Sequence, residues 1–155
     1  MFKQTPNVSK KKRTKIRFII LHSTGYSGLG QYDGAVSWLC NPASKVSAHY
    51  VISREGDITQ LAQCIDITWH AGVSSWGKYK NLNALSVGIE MEHSDKNNDD
   101  WPDEQLRAVA SVVRTVMKKF DIPFENVLGH NQIAPGRKVD PKNFPFDKLK
   151  KLVNQ

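Results

Sequence analysis

The chain has 155 residues, of which 39% are hydrophobic and 9% aromatic, and this is enough to build the core of one globular domain. No apolar run approaches the length of a transmembrane helix, which argues against a membrane-spanning protein. The sequence contains no internal repeat and no linker, so we expect a single folded domain.

The formal net charge is +7, and six of the basic residues lie between Lys10 and Arg17. A charge of this size favours a polyanionic partner, which the composition leaves open as nucleic acid, a membrane surface or an anionic cell-wall polymer. Because the charge is local, a solvated basic arm is the simpler interpretation. We therefore predict a flexible basic arm at residues 1–14 and a folded domain at residues 15–155.

The N-terminal region lacks the pattern of a signal peptide. Its basic segment precedes only the short apolar run from Phe18 to Leu21, and no small-residue cleavage site follows. We therefore expect synthesis in the cytoplasm without a signal peptide. Cys40 and Cys64 are expected to be free, buried thiols, and a disulfide between them stays open if the protein works outside the cell.

Hydrophobic patterns predict the secondary structure in chain order. Residues 16–21 form a β-branched run typical of a buried strand, and residues 102–120 carry apolar side chains at three- and four-residue steps, as in an amphipathic helix. Strands are predicted at 16–21, 47–52, 58–62, 85–91 and 127–128, and helices at 33–40, 102–120 and 145–152. Elements mixed in this order predict an α/β (α+β) domain with a central mixed β-sheet flanked by helices.

Three candidate metal ligands stand at the ends of predicted elements. His22 ends the first strand, His130 follows the last strand, and Asp140 lies beyond a Pro-Gly turn. Turns position polar groups that a core cannot satisfy, so the segment 129–144 is predicted to be a site loop. Two imidazoles and one carboxylate can hold Zn²⁺ and leave a fourth position for water. For His22 taken alone, a hydrogen-bonded structural histidine is the alternative.

Two charged residues accompany this set. Glu90 lies in the apolar strand 85–91, where a carboxylate needs a cation, a metal or a hydrogen-bond donor. Glu90 can take a proton from an attacking water and hand it to a leaving amine. Lys138 can offset the negative charge that develops on a carbonyl oxygen. These residues predict metal-assisted hydrolysis of an amide or ester.

Five segments, taken in order, resemble the zinc-dependent N-acetylmuramoyl-L-alanine amidases, the superfamily that includes phage lysozymes, muropeptide-recycling amidases and peptidoglycan recognition proteins. They are FIILHST (18–24), SAHYVISREGDI (47–58), WHAG (69–72), NALSVGIEMEH (83–93) and GHNQIAPGRKVDP (129–141). The resemblance implies the single-domain fold of that superfamily and one Zn²⁺ as cofactor. It also implies cleavage of the amide between the lactyl group of N-acetylmuramic acid and L-alanine in peptidoglycan.

Carried over residue by residue, the resemblance assigns the zinc ligands to His22, His130 and Asp140. Some members of the family have cysteine at the last of these positions, and here an aspartate supplies an oxygen ligand. The catalytic roles fall on Glu90 and Lys138, which agrees with the chemistry expected of those residues.

Other residues of the same segments are expected to bind substrate or to support the site. The candidate substrate-binding residues are Trp69, His70, Ala71, Asn83 and Arg137. His49 is expected to be structural or to support a ligand, and His93 to lie on the surface. The family commonly has glycine after the Asp-Pro pair where this chain has Lys142, so the loop beyond Pro141 is expected to differ in shape.

The predicted biological role is that of a phage endolysin for host cell lysis, since the chain is a compact, basic domain without a wall-binding module. It would act on peptidoglycan from the host periplasm, as a monomer, with electrostatic contact between its basic arm and anionic envelope surfaces. A cytoplasmic muropeptide-recycling amidase is the close alternative. A non-catalytic peptidoglycan-binding module is disfavoured because every ligand and Glu90 are kept. No nucleic-acid partner is expected, because the chain lacks zinc-finger cysteine spacing and a base-reading helix.

Overall fold

The computed structural model describes residues 1–13, 15–96 and 98–155. The strands are β1 (Phe18–Ser23), β2 (Tyr50–Ile52), β3 (Ile58–Gln60), β4 (Ser75–Trp76), β5 (Tyr79–Lys80), β6 (Ser86–Met91) and β7 (Val127–Gly129). The helices are α1 (Gln31–Leu39), α2 (Asp103–Phe120), α3 (His130–Ile133) and α4 (Phe146–Val153). Five strands form the central sheet in the order β3-β2-β6-β1-β7, and β4 pairs with β5. The central sheet is mixed, as predicted, because β3 runs antiparallel to β2 and the other pairs are parallel.

Both faces of the central sheet are covered. Alternate side chains of a strand point to opposite faces, so β1 contributes to two cores. Ile19 and Leu21 pack in the larger core with α2 and α4. Phe18 and Ile20 pack in a smaller core on the other face. The same two-residue repeat places His22 on the side of the sheet away from α2.

The parallel strands end at one edge of the sheet, which is where ligands bind in open α/β sheets. His22 is paired with Glu90 in the register of β1 and β6. Gly129, the last residue of β7, is paired with Leu21 and is followed by His130. The sheet thus brings together two histidines that are 108 positions apart in sequence.

The long amphipathic helix is confirmed as α2 (Asp103–Phe120). Its buried residues recur at the predicted steps and are Gln105, Leu106, Val109, Ala110, Val112, Val113 and Val116. Burial of each large apolar side chain contributes about 1.5–3 kcal/mol, which explains why this stripe fixes the helix on the sheet. Among the helices that the structure describes, none is long and apolar enough to cross a membrane.

Two short elements differ from the sequence prediction. No strand is predicted between residues 62 and 85, yet this segment contains β4 and β5, whose two residues each are too few for a periodic pattern. His130, predicted in a loop, is the first residue of α3. That turn forms because the side chain of Gln132 accepts the N–H of Gly129 at 2.7 Å.

The basic N-terminal segment packs against the domain, so the prediction of a flexible arm is wrong for residues 1–13. The N–H of Lys3 donates to Gln60 O at 2.8 Å, and the N–H of Thr5 donates to Leu61 O at 2.7 Å. Gln60 is the last residue of the edge strand β3, and Phe2 forms a parallel bridge with it. The segment therefore extends the sheet edge and buries Thr5.

Arg13 anchors the end of this segment inside the domain. It is 8% exposed, and its guanidinium donates to Cys64 O at 2.8 Å and to Asn83 O at 3.0 Å, and also to Ser86 O. A buried arginine is tolerated when its donors are satisfied in this way. Thr14 lies outside the described residues, so the last position of the predicted arm is not described.

His49, immediately before β2, is a structural histidine with no exposed surface. Its Nδ1 accepts the N–H of Gly88 at 3.0 Å, and the Arg13 guanidinium lies 2.7 Å from its Nε2. Burial, reinforced by the positive charge of Arg13, lowers the pKa of His49 to about 3. The folded protein therefore keeps this ring neutral at pH values where an unfolded chain protonates it.

We expect His49 to make the free energy of unfolding fall as the pH falls from about 6.5 towards 3. Over this pH range the unfolded chain binds one proton at His49 that the folded protein does not bind. The free energy of unfolding therefore changes by about 1.4 kcal/mol per pH unit because of this group. Denaturant titrations of chelator-treated protein between pH 6.5 and 4 measure it. His49→Asn keeps an acceptor for Gly88 and removes the titration, so its slope should be shallower by one proton. Parallel lines for the two proteins would contradict the assignment.

Candidate active site

Three side chains converge at the carboxyl ends of β1 and β7. His22 Nδ1 and His130 Nδ1 are 3.0 Å apart. Asp140 Oδ2 lies 3.5 Å from His22 Nδ1 and 3.4 Å from His130 Nδ1. Within residues 1–13, 15–96 and 98–155, these three form the one group of His, Cys, Asp and Glu side chains arranged closely enough to hold a metal ion. The structure therefore brings the predicted ligand set together.

The hydrogen bonds behind the histidines test whether this triangle fits a metal. His130 Nε2 lies 3.0 Å from Ala71 O, which can only accept, so the ring carries its proton on Nε2 and a lone pair on Nδ1. His22 Nε2 also has a partner behind it, His70 Nδ1 at 2.9 Å. The front of the triangle thus gathers acceptor atoms that need a cation among them. Imidazole nitrogen and carboxylate oxygen are donors that Zn²⁺ takes, so the residues fit that ion.

The charges of the triangle also suit a cation. Burial alone would raise the pKa of Asp140, but the two histidine rings that face its carboxylate outweigh burial and hold that pKa well below its usual range. Burial lowers the pKa of His22 to about 4. Near neutral pH the carboxylate is ionised and the His22 imidazole is neutral, which are the forms that bind a metal.

Glu90 lies beside His22 on β6 and lines the same cavity. Burial raises the pKa of Glu90 to about 8, the charge of Asp140 acts in the same direction, and Lys138 opposes both. The two carboxylates of the site therefore differ in proton affinity. The histidines keep Asp140 ionised, whereas the pKa of Glu90 is raised to about 8. A group poised in this way can accept a proton and return it.

Lys138 and Arg137 lie on the turn that follows α3 and line the cavity. Their backbone N–H groups donate to Ala134 O at 3.0 and 3.1 Å, which fixes the turn. Arg137 Nη2 also donates to Ala71 O at 2.8 Å and to Val73 O at 2.7 Å. Arg137 is therefore a loop anchor as well as a wall of the cavity, while the exposed Lys138 side chain is free to reach a substrate.

The triangle opens into a cavity of about 800 Å³. This volume lies within the range of about 300–1,000 Å³ that is usual for ligand sites. The loop after β1, helix α1 and the segments 46–47, 69–70 and 137–140 form its walls. Tyr26 and Trp38, which are 69% and 55% exposed, belong to these walls. A charged floor with aromatic walls suits a ligand that combines a polar backbone with a flat apolar face, such as a sugar ring.

The predicted substrate-binding residues divide into two groups. Trp69, His70 and Arg137 line the cavity. The prediction for Ala71 is wrong, because this residue has no exposed surface and packs in the smaller core. Asn83 is not among the cavity-lining residues, and its Oδ1 accepts the backbone N–H groups of His70 and Ala71 at 3.1 and 2.7 Å. Ala71 and Asn83 therefore fix the position of the segment 69–72 and do not face the cavity.

Asp95 is a cavity residue that the sequence analysis did not single out. Its Oδ2 accepts the hydroxyl of Ser23, and its Oδ1 accepts the backbone N–H of Lys142 at 3.0 Å. The Asp95 carboxylate therefore links Ser23, which follows the ligand His22, to Lys142, which follows the ligand Asp140. Its acidic, amide-rich surroundings are typical of a solvated loop, so composition gives no signal of this contact.

His93 was predicted on the surface, and this prediction is wrong. The residue is 1% exposed and its ring stacks on Trp101, with the ring centroids 3.7 Å apart. Asp95 Oδ1 lies 3.3 Å from His93 Nδ1. The indole of Trp101 covers the imidazole, and the two residues are eight positions apart, so the local sequence around His93 gives no sign of its burial.

A model of the N-acetylmuramoyl-L-alanine amidase family matches residues 12–143. The chain belongs to this family. A curated relative is the 1,6-anhydro-N-acetylmuramyl-L-alanine amidase AmpD of Salmonella typhimurium (strain SL1344), which is 37% identical over 110 residues. The match covers 70% of this chain and 58% of that protein, so this chain spans little more than half the length of the relative.

Solved structures of the family share the fold. A crystal structure of an AmpD derivative superposes with a TM-score of 0.80 at 28% identity, covering 98% of this chain and 93% of the other. AmiD from E. coli, in complex with the substrate anhydro-N-acetylmuramic acid-L-Ala-D-gamma-Glu-L-Lys, gives a TM-score of 0.81 at 26% identity. That match covers 93% of this chain and 60% of AmiD. These likenesses confirm the predicted mixed sheet flanked by helices.

Proposed function

We propose that this chain is a zinc-dependent amidase that hydrolyses the amide between the lactyl group of N-acetylmuramic acid and L-alanine. The observation that carries the proposal is the convergence of His22, His130 and Asp140 on the floor of a cavity, in a chain of this family. Glu90 and Lys138 line the same cavity, as a hydrolytic site requires.

Zinc bound by His22, His130 and Asp140 would supply Lewis-acid chemistry, in which it polarises the amide carbonyl and lowers the pKa of a water. Glu90 takes the proton from the attacking water and passes it to the amine of L-alanine as that amine leaves. Burial raises the pKa of Glu90 above that of an exposed carboxyl, which favours holding the proton between these two steps. The Lys138 ammonium stabilises the negative charge that develops on the carbonyl oxygen.

The preferred substrate in this proposal is a small 1,6-anhydro-muropeptide, in keeping with a recycling amidase. The AmpD relative is named for this anhydro form of the sugar, and the AmiD structure contains an anhydro-muropeptide as substrate. The predicted role of a phage endolysin has less support, because the curated relatives are bacterial amidases. A cavity of about 800 Å³ also has the volume of a small-ligand site.

Several properties of the chain stay predictions. They are a monomeric state, the lack of a nucleic-acid partner, and contact with anionic envelope surfaces. The packing of residues 1–13 on the domain removes the flexible arm as the means of that last contact. The exposed Lys10 and Lys11 remain on the surface and keep the charge there.

The proposal is tested by offering the purified protein two substrates, a soluble anhydro-muropeptide and intact peptidoglycan sacculi. Mass spectrometry of the products should find new free L-alanine amino termini. We expect kcat/KM to be at least about tenfold higher on the soluble compound, a difference of about 1.4 kcal/mol in activation free energy.

The other outcomes discriminate between the alternatives. Faster release from intact sacculi would favour a lytic enzyme over a recycling one. If no new amino termini form from either substrate in the presence of Zn²⁺, the amidase proposal fails and the non-catalytic binding module becomes the better explanation. New glycan reducing ends without free L-alanine termini would place the cut in the sugar chain and also contradict it.

A further inference from the structure

A directional chain of hydrogen bonds runs from a backbone carbonyl to His22. The hydroxyl of Ser86 donates to Leu82 O at 2.7 Å. Because that carbonyl can only accept, the Ser86 oxygen is left to accept from His70 Nε2, which lies 3.2 Å away. A neutral His70 with its proton on Nε2 has an acceptor at Nδ1. That atom lies 2.9 Å from His22 Nε2, which must therefore be the donor.

We propose that His70 is a positioning residue of the metal site, which fixes the tautomer of His22 so that His22 Nδ1 turns a lone pair towards the ion. Its role is indirect, since the His70 ring touches His22 rather than the triangle of ligand atoms. The proposal rests on the proposed function only in requiring that the triangle holds zinc. A hydrogen bond behind a ligating imidazole fixes ring orientation and raises ligand basicity.

The backbone of β6 is shaped to admit the His70 ring. A Cβ built on Gly88 would lie 2.5 Å from Cγ of His70 and 2.6 Å from its Nδ1, closer than any real contact. Gly88 does not adopt a left-handed conformation, so its lack of a side chain serves space and not backbone freedom. The strand therefore passes directly against the imidazole and restricts how it can rotate.

The same segment also orients the second histidine ligand. Ala71 O accepts from His130 Nε2 at 3.0 Å, so two consecutive residues set the tautomers of both imidazoles. Asn83 Oδ1 holds this pair in place by accepting both of their backbone N–H groups. His70 itself is 9% exposed, which is too little surface for a main role in substrate contact. The segment is thus a support behind the ligands.

Two substitutions of matched shape test the role of His70. His70→Asn places an amide oxygen near the position of Nδ1 and keeps an acceptor for His22, whereas His70→Leu has the same branching and no acceptor. Zinc dissociation constants, measured by competition with a chelator, should be about 10–100-fold weaker for Leu and within about threefold of the parent for Asn. Equal affinity for the parent and the Leu variant would overturn the proposal.

Nitrogen-15 NMR of the labelled parent protein reads the tautomers directly and does not depend on any variant folding. We expect His70 to be protonated on Nε2 and unprotonated on Nδ1, with a slowly exchanging proton on His22 Nε2. Ser86→Ala, which leaves His22 untouched, should weaken this tautomer preference. The reverse tautomer of His70, or a doubly protonated ring, would overturn the proposal.

These readouts separate the proposal from the proposed function. A parent protein that binds zinc with the expected tautomers and cleaves no muropeptide would leave the role of His70 intact and contradict the amidase. A parent protein that binds no zinc would contradict the metal site itself, and with it the purpose assigned to His70.

Discussion

Glu90→Gln should lower kcat by about 10²–10⁴-fold while the protein keeps its zinc. Glutamine has nearly the same shape and cannot take up the proton that the attacking water releases, so the step in which Glu90 acts is lost. His22, His130 and Asp140 remain, so metal content should stay at that of the parent. Turnover of the anhydro-muropeptide and metal analysis of the same samples measure both quantities.

The same substitution should raise stability while it lowers activity. A variant that is inactive but more stable cannot have lost its activity through unfolding. The pKa of Glu90 is raised to about 8 in the fold, chiefly by burial. The folded state therefore prefers the protonated form of Glu90. The contribution of Glu90 to the free energy of unfolding is highest below about pH 4.5, where Glu90 is protonated in both states, and it falls as the pH rises through 8. Glu90→Gln removes this loss, so at pH 8 the zinc-free variant should be more stable than the zinc-free parent.

Glu104→Gln is the matched control, because it makes the same chemical change on the exposed first turn of α2. It should leave kcat within about a factor of two of the parent, as surface substitutions usually do. A Glu90→Gln protein that retains most of its turnover would contradict the assignment of the base. Loss of zinc together with activity would instead make Glu90 a ligand or a structural partner of the ligands.

The site was predictable where short motifs end buried strands. His22 and Glu90 follow apolar runs that predict buried strands. The structure pairs these two strands in parallel, so both end at the same edge of the sheet. The predicted helix over 102–120 differs from α2 by one residue, because a long amphipathic period is the strongest local signal. These parts of the structure depend on local pattern.

The predictions that were wrong concern residues whose positions depend on contacts with parts of the chain that are distant in sequence. Residues 1–13 have the composition of a solvated arm, yet they pack because the outer edge of the sheet offers carbonyls and a buried site satisfies Arg13. His70 and Ala71 belong to a family motif, which indicates that they matter. It does not indicate whether they face the substrate or the back of the ligands. The close contact between His70 and Gly88 of β6, which is distant in sequence, places His70 behind the ligands.

Asp140→Ala should abolish stoichiometric zinc binding and turnover together. The substitution leaves two imidazoles and no anionic ligand, and zinc affinity should fall by at least about 100-fold, since changes behind the ligands already cost 10–100-fold. Asp140→Cys should retain zinc, because a thiolate is also a zinc ligand. Asp147→Ala, which removes an exposed aspartate from the first turn of α4, is the control and should bind one zinc.

The most direct test of the account is a zinc titration of the chelator-treated protein, with bound metal and release of free L-alanine amino termini measured in the same samples. The zinc-free protein should release none, and turnover should rise in proportion to bound zinc and level off at one ion per chain. The Asp140→Ala protein should stay inactive throughout. Full turnover without metal, or turnover that does not follow zinc occupancy, would contradict the account.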